Sequence, residues 1–136
     1  MTPEIKERFE KGIRSFNQGD FFEAHELWEE NWKLAEGKAR LFFQGIIQAA
    51  VALLHAQRGN YAGALSVYFK SRQNLAQTPP IWMGIDMEQL RFDLMRYFAA
   101  IQTAFGSQRG DCEPGNNERA ADGQRPPTIN QRLPPS

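Results

Sequence analysis

The chain has 136 residues, 41% of them hydrophobic and 24% charged, the usage of one globular domain with a core of its own. Sixteen basic residues balance sixteen acidic ones, and neither sign gathers at one end, so no electrostatic footprint for nucleic acid is present. The most apolar stretch, Leu41 to His55, is interrupted by Gln44 and Gln48 and is short for a bilayer span, and no charged-then-apolar leader opens the sequence. The expectation is a cytoplasmic protein without nucleic-acid or membrane partners.

Five helices are predicted in chain order. Thr2-Pro3 is a cap with proline at the first helical position, and Ile5, Phe9, Ile13 and Phe16 recur at helical spacing until Asn17-Gln18-Gly19. Asp20 with Glu23 forms a capping-box pattern that opens a second helix, expected to end near Gly37. The third, from about Lys38 to Arg58, is apolar on nearly every side and is therefore the expected central helix. Asn60 caps a fourth, which stops before Thr78-Pro79-Pro80, and Asp86 with Gln89 opens a fifth bearing Leu90, Leu94, Tyr97, Phe98, Ile101 and Phe105 on one stripe. No segment alternates with period two over a useful length, so no strands are predicted. Trp82-Met83, in the loop between helices four and five, is an apolar patch assigned to the core rather than to a dimer face.

The fold class that follows is all-α: two stacked helical hairpins plus a closing helix over residues 1–105, then a Pro- and Gly-rich polar tail over 106–136. From Gly106 onward only Ile129 and Leu133 are large aliphatics, too little apolar surface to offset the entropy of ordering the segment, so a tail disordered in the free monomer is expected, with docking of a short stretch such as Pro127 to Pro134 on a partner as the lesser alternative. Cys112 is alone within it, which excludes a disulfide framework and a thiolate metal motif.

An internal echo is visible. Gly19-Asp-Phe-Phe-Glu-Ala24 and Gly59-Asn-Tyr-Ala-Gly-Ala64 both read Gly, Asx, aromatic, two residues, Ala. The pattern resembles tetratricopeptide-type hairpins, although the forty-residue offset exceeds the usual repeat of about 34.

Candidate chemistry centres on Asp20 to Trp32. At about 100° per residue, Phe21, His25, Trp28, Glu29 and Trp32 fall within roughly a quarter-turn arc, so an imidazole and a carboxylate are expected on the core-facing stripe. Buried ionisable groups need a partner. Gln44, Gln48 and His55 share one edge of the third helix and are the expected partners if helices two and three pack antiparallel.

Two readings of the cluster stand. In one, Glu29 accepts from His25, His55, a glutamine or an indole, and the network fixes helix register. In the other, His25 and Glu29, one helical turn apart, ligate a divalent transition metal ion with His55 or Glu26 completing the shell. A metal with an open position would activate water for hydrolysis, with Glu26 or Glu29 as the candidate base, Glu26 only weakly so. His25-Glu-Leu-Trp-Glu29 is not the zinc-protease motif, since Glu29 replaces its second histidine.

His25-Glu-Leu-Trp-Glu29-Glu-Asn-Trp32, with Phe16-Asn-Gln-Gly19 and Phe22-Glu-Ala before it and Phe43-Gln-Gly-Ile-Ile-Gln48 and Arg58-Gly-Asn60 after it, resembles the DUF309 family of bacterial and archaeal proteins. That family is marked by H-x-x-x-E-x-x-[WY], here His25, Glu29 and Trp32. The resemblance covers residues 5 to 75 and implies a small all-helical domain of unestablished function, for which metal binding through the motif has been suggested. The alternative, from a different class, is a non-catalytic helical-hairpin interaction module acting on a protein partner or as a homodimer, with Trp32, Gln44 and Gln48 supporting a structural His/Glu network. Neither catalysis nor its absence follows from these residues.

Overall fold

The structure, a computed structural model, describes residues 2–107 and 125–131. Five helices run in order: α1 (Pro3–Asn17), α2 (Phe21–Leu34), α3 (Gly37–Gln57), α4 (Tyr61–Leu75) and α5 (Met87–Ser107). Side-chain caps open four of them. Thr2 accepts from the Ile5 N–H at 3.3 Å, and Asp20, Asn60 and Asp86 accept from Glu23, Gly63 and Gln89 at 3.1 Å each, so each satisfies an otherwise orphaned donor of a first turn. Gly37 does not end α2 as expected. The chain turns extended at Ala35 and Glu36, and Gly37, at φ +62°, begins α3.

The forty-residue echo extends from sequence into geometry. Phe21, Ala24, Trp28 and Asn31 are the buried face of α2, and Tyr61, Ala64, Tyr68 and Ser71, each forty positions on, are buried along α4. The joints match as well. The Asp20 N–H donates to Ser15 O and the Asn60 N–H to His55 O, both at 2.9 Å, across turns whose Gly19 and Gly59 take φ +82° and +77°. Each hairpin is then tied across its helices by one buried polar side chain. Asn31 Nδ2 donates to Ile5 O at 3.1 Å and Ser71 Oγ to Gly45 O at 2.7 Å, and the two carbonyls are again forty residues apart. The molecule therefore contains two quasi-equivalent α-hairpins, α1–α2 and α3–α4, closed by α5.

α3 lies between α2 and α4 and buries Phe42, Phe43, Ile46, Ala49, Ala50, Ala52, Leu53 and Ala56. Its alanines let the neighbouring helices approach closely. At 21 residues it is longer than the apolar run counted from sequence, and by length and composition alone it would pass for a membrane-spanning helix, with half of that window inside the fold. α5 buries Leu90, Leu94, Tyr97, Phe98 and Ile101, as its stripe predicts, and stacks Phe98 on Tyr68 of α4 at 4.3 Å.

Strands do occur, contrary to expectation. β1 (Ile81–Trp82) pairs antiparallel with β2 (Ile85–Asp86) about Met83 and Gly84, whose φ values of +53° and +79° are those of a tight hairpin turn. Two residues a side leave no alternation to read, and methionine stands where asparagine would have signalled the turn. The hairpin seats Trp82 on Phe42, ring centroids 5.4 Å apart, so the Trp82-Met83 patch joins the core.

The expectation of a disordered tail concerns, for residues 108–124 and 132–136, positions outside those described. Residues 125–131 pack on the helical body. Ile129 is 3% exposed, and Gln131 forms an antiparallel bridge with Ile85.

Candidate functional site

The sequence placed His25 and Glu29 on the core-facing side of α2. The structure moves them to its edge. The buried residues of α2 are spaced i, i+3, i+7, i+10 from Phe21, and Glu29 lies about 100° past Trp28 on the helical wheel. Its side chain is 48% exposed and that of His25 20%. The quarter-turn arc was too generous at one side, and the anticipated cost of a buried ion pair does not arise.

The pair is nonetheless formed. His25 Nε2 lies 3.3 Å from Glu29 Oε1, while His25 Nδ1 is 3.0 Å from the Phe22 carbonyl. A carbonyl oxygen only accepts, so Nδ1 carries a proton and donates. A neutral imidazole then turns its Nε2 lone pair toward the carboxylate, and only the imidazolium form makes the second contact a charge-assisted hydrogen bond. At this exposure an i,i+4 pair contributes roughly 0.3–0.5 kcal/mol.

The expected partners from α3 do not meet it. Gln48 Oε1 accepts from Asn74 Nδ2 of α4 at 2.8 Å, and His55 Nδ1 pairs with Asn60 Nδ2 at 3.3 Å within the α3–α4 turn. Gln44 is half-buried on the same helix edge. Gln48 and His55 therefore serve the second hairpin rather than the first, because α3 has neighbours on both sides and these two side chains meet Asn74 and Asn60. Glu26 is exposed. No group of three His, Cys, Asp or Glu side chains able to hold a metal ion occurs among the described residues. The donors beside His25 and Glu29 thus fall short of the three protein ligands of a catalytic zinc site or the four of a structural one.

Trp32, the third motif residue, does something the sequence did not reveal. Arg40, early in α3, places its guanidinium 4.1 Å from the indole centroid. This cation–π contact bridges the short connection between α2 and α3, with the Trp32 Nε1 atom buried and without a hydrogen-bond partner. Trp28 is fully buried, donates from Nε1 to Phe9 O at 3.2 Å, and sits against Gly12. Asn31, also missed, accepts from Arg8 Nη1 at 2.9 Å while donating to Ile5 O. Its place three residues after Trp28 on the buried face was the available signal.

The model of the family described as Domain of unknown function (DUF309) matches residues 9–67. Over these residues, somewhat under half of the sequence, the chain is similar to the DUF309 family. The match takes in His25, Glu29 and Trp32, together with both twin joints. An uncharacterized protein of Aquifex aeolicus (strain VF5) is 32% identical over 78 residues, 57% of this chain and 23% of that protein. The uncharacterized protein YpuF of Bacillus subtilis (strain 168) is 52% identical over 46 residues, 33% of this chain and 26% of YpuF. The chain thus spans about a quarter of the length of the curated relatives it matches.

A second place on the surface has the form of a site. Between α4 and α5, Tyr68, Leu75, Phe92, Leu94 and Met95 line a cleft of about 320 Å³ with Arg72 and Arg91 beside them and no acidic side chain. Arg91 Nη1 closes one end by donating to Leu75 O, Thr78 O and Thr78 Oγ1, which satisfies a last-turn carbonyl of α4. Tyr68, on the wall of the cleft, stacks on Phe98 of α5. Burial raises the Tyr68 phenol above its ordinary value, and the neighbouring Arg72 partly offsets this. Phe92 is 53% and Met95 43% exposed.

Proposed function

We propose that this chain is a non-catalytic helical-hairpin interaction module that takes a partner helix in the cleft between α4 and α5. The observation that carries this reading is the duplicated hairpin. Two units with the same buried face, turn and interhelical tie end on α5, a helix that lacks a following hairpin partner among the described residues. Arrays of this kind bury their apolar faces by stacking neighbours, and the exposed Phe92 and Met95 are what such a neighbour would cover. Two arginines without an acid select an amphipathic helix that carries carboxylates on its flank. His25 and Glu29 then form an i,i+4 pair within α2 at its edge, and Trp32 with Arg40 acts as a clamp on its connection to α3.

The test is in-cell cross-linking of the full chain in its native host, beside two double variants. Loss of the cross-linked partner from Phe92→Glu, Met95→Glu, with retention by His25→Ala, Glu29→Ala, supports the module. The opposite pattern places the function at the family motif and overturns the proposal. So does the absence of any specific partner from all three.

A further inference from the structure

The segment from Arg125 to Gln131 is held in a manner that proline-rich polar sequence rarely achieves. Its burial alternates: Pro127 and Ile129 face inward while Thr128 and Asn130 are exposed. One carboxamide reads both backbone groups of Ile129. The Ile129 N–H donates to Asn17 Oδ1 at 2.7 Å, and Asn17 Nδ2 donates to Ile129 O at 3.0 Å. That is the pairing a neighbouring strand would supply, delivered here by a side chain at the end of α1. The backbone continues the pattern, since the Asp86 N–H donates to Asn130 O at 3.0 Å and Gln131 bridges Ile85. An extended ligand is thus added to the edge of β2, with Ile129 in the core cluster and Pro127 buried two residues before it setting the spacing.

We propose that the channel formed by Asn17, Ile85 and Asp86 is a docking site for an extended Pro-x-Ile-Asn segment, filled in cis by residues 127–130 and in trans by the same residues of a second copy of this chain. Main-chain pairing supplies affinity and alternate side chains supply specificity, as in recognition by strand addition. The second copy is the occupant because it carries the one sequence already seen to fit. The segment is covalently part of the chain that carries the channel, which presents it at an effective concentration on the order of millimolar, so the cis form prevails in dilute wild-type protein. Weakening the cis contact is what opens the channel. This site lies apart from the cleft between α4 and α5 and does not depend on that reading.

The experiment uses the full chain with Ile129→Asp, which ejects the segment and leaves the channel intact, and a fluorescent peptide of residues 125–131 as the probe. Circular dichroism checks the helical body, with the milder Ile129→Ala as the second variant should the aspartate unfold it. The peptide is expected to bind the ejected variant at least about tenfold more tightly than wild type, where the cis segment competes, and adding Asn17→Ala is expected to abolish that binding. Equal binding to all forms, or to none, overturns the docking site. Mixing Ile129→Asp protein with Asn17→Ala protein pairs an intact channel with an intact segment on another molecule. Sedimentation is expected to show a heterodimer absent from either variant alone, and two unassociated monomers in the mixture overturn the second copy as occupant.

Discussion

The indole of Trp28 occupies the space in which residue 12 would carry a Cβ. A Cβ on Gly12 would lie 2.8 Å from both Cδ1 and Cε2 of Trp28, a ring that is fully buried and anchored on Phe9 O. The ring has no free end to swing aside. Gly12→Ala is therefore expected to destabilise the fold by about 1–3 kcal/mol, the range for overpacking in a filled core, read as a lower urea midpoint at unchanged slope. Trp28→Ala, which empties the same space, is expected to cost about 3–5 kcal/mol.

The two interhelical ties make separable contributions. Ser71→Ala removes a neutral hydrogen bond and is expected to cost about 1 kcal/mol, whereas Asn31→Ala also strands the Arg8 guanidinium and should cost about 2–3 kcal/mol. Because they belong to different hairpins, the double variant should equal the sum within about 0.5 kcal/mol. A larger discrepancy in denaturant titrations would show that the hairpins are coupled through these atoms.

Alkaline pH should weaken the protein through two phenols. Burial raises Tyr97, with Tyr61 adding to the effect, and burial raises Tyr68. A phenol whose folded pKa exceeds the unfolded value of 10.0 favours the folded state fully below pH 10 and loses that contribution as pH climbs toward the folded value. Thermal midpoints should hold steady up to about pH 10 and then decline, and Tyr97→Phe should flatten the decline. Phenolate absorbance would place both titrations above that of free tyrosine.

Replacing His25 and Glu29 by alanine should change stability by less than about 1 kcal/mol, because the pair is accessible and its two ends sit one turn apart on the same helix. Two donors hold a divalent ion weakly. Elemental analysis of untagged protein after dialysis should therefore give the same metal content for wild type and the double variant. A stoichiometric ion lost only from the variant would reinstate a metal centre at the motif.

Much of the architecture was legible because local signals agreed with one another. Thr2-Pro3, Asp20 and Asn60 opened the helices they were expected to open, and the Gly-Asx-aromatic echo proved to be a duplicated joint. The motif was harder to place. His25 and Glu29 fell in the right arc by helical projection, but which part of an arc faces the core depends on where the neighbouring helices lie, and α2 turned Asn31 inward instead. The polar edge of α3 presented the same ambiguity twice over, since a central helix has two neighbours and Gln48 chose Asn74. The Arg40 contact spans a connection whose course no periodicity reveals. Ile129 looked like one of two scattered aliphatics in polar sequence, and its place depends on Asn17, 112 residues away, and on the edge of β2.

That last separation has a consequence for how the molecule comes into being. A ribosome releases the chain from the amino end, so α1 emerges and can pair with α2 long before Ile129 has been translated. Throughout that interval the carboxamide of Asn17 faces water, and the edge of β2 is unprotected when it follows. The strap arrives after all five described helices, and a nascent chain stalled or cleaved before Pro127 would present both surfaces to whatever extended polypeptide lies nearest.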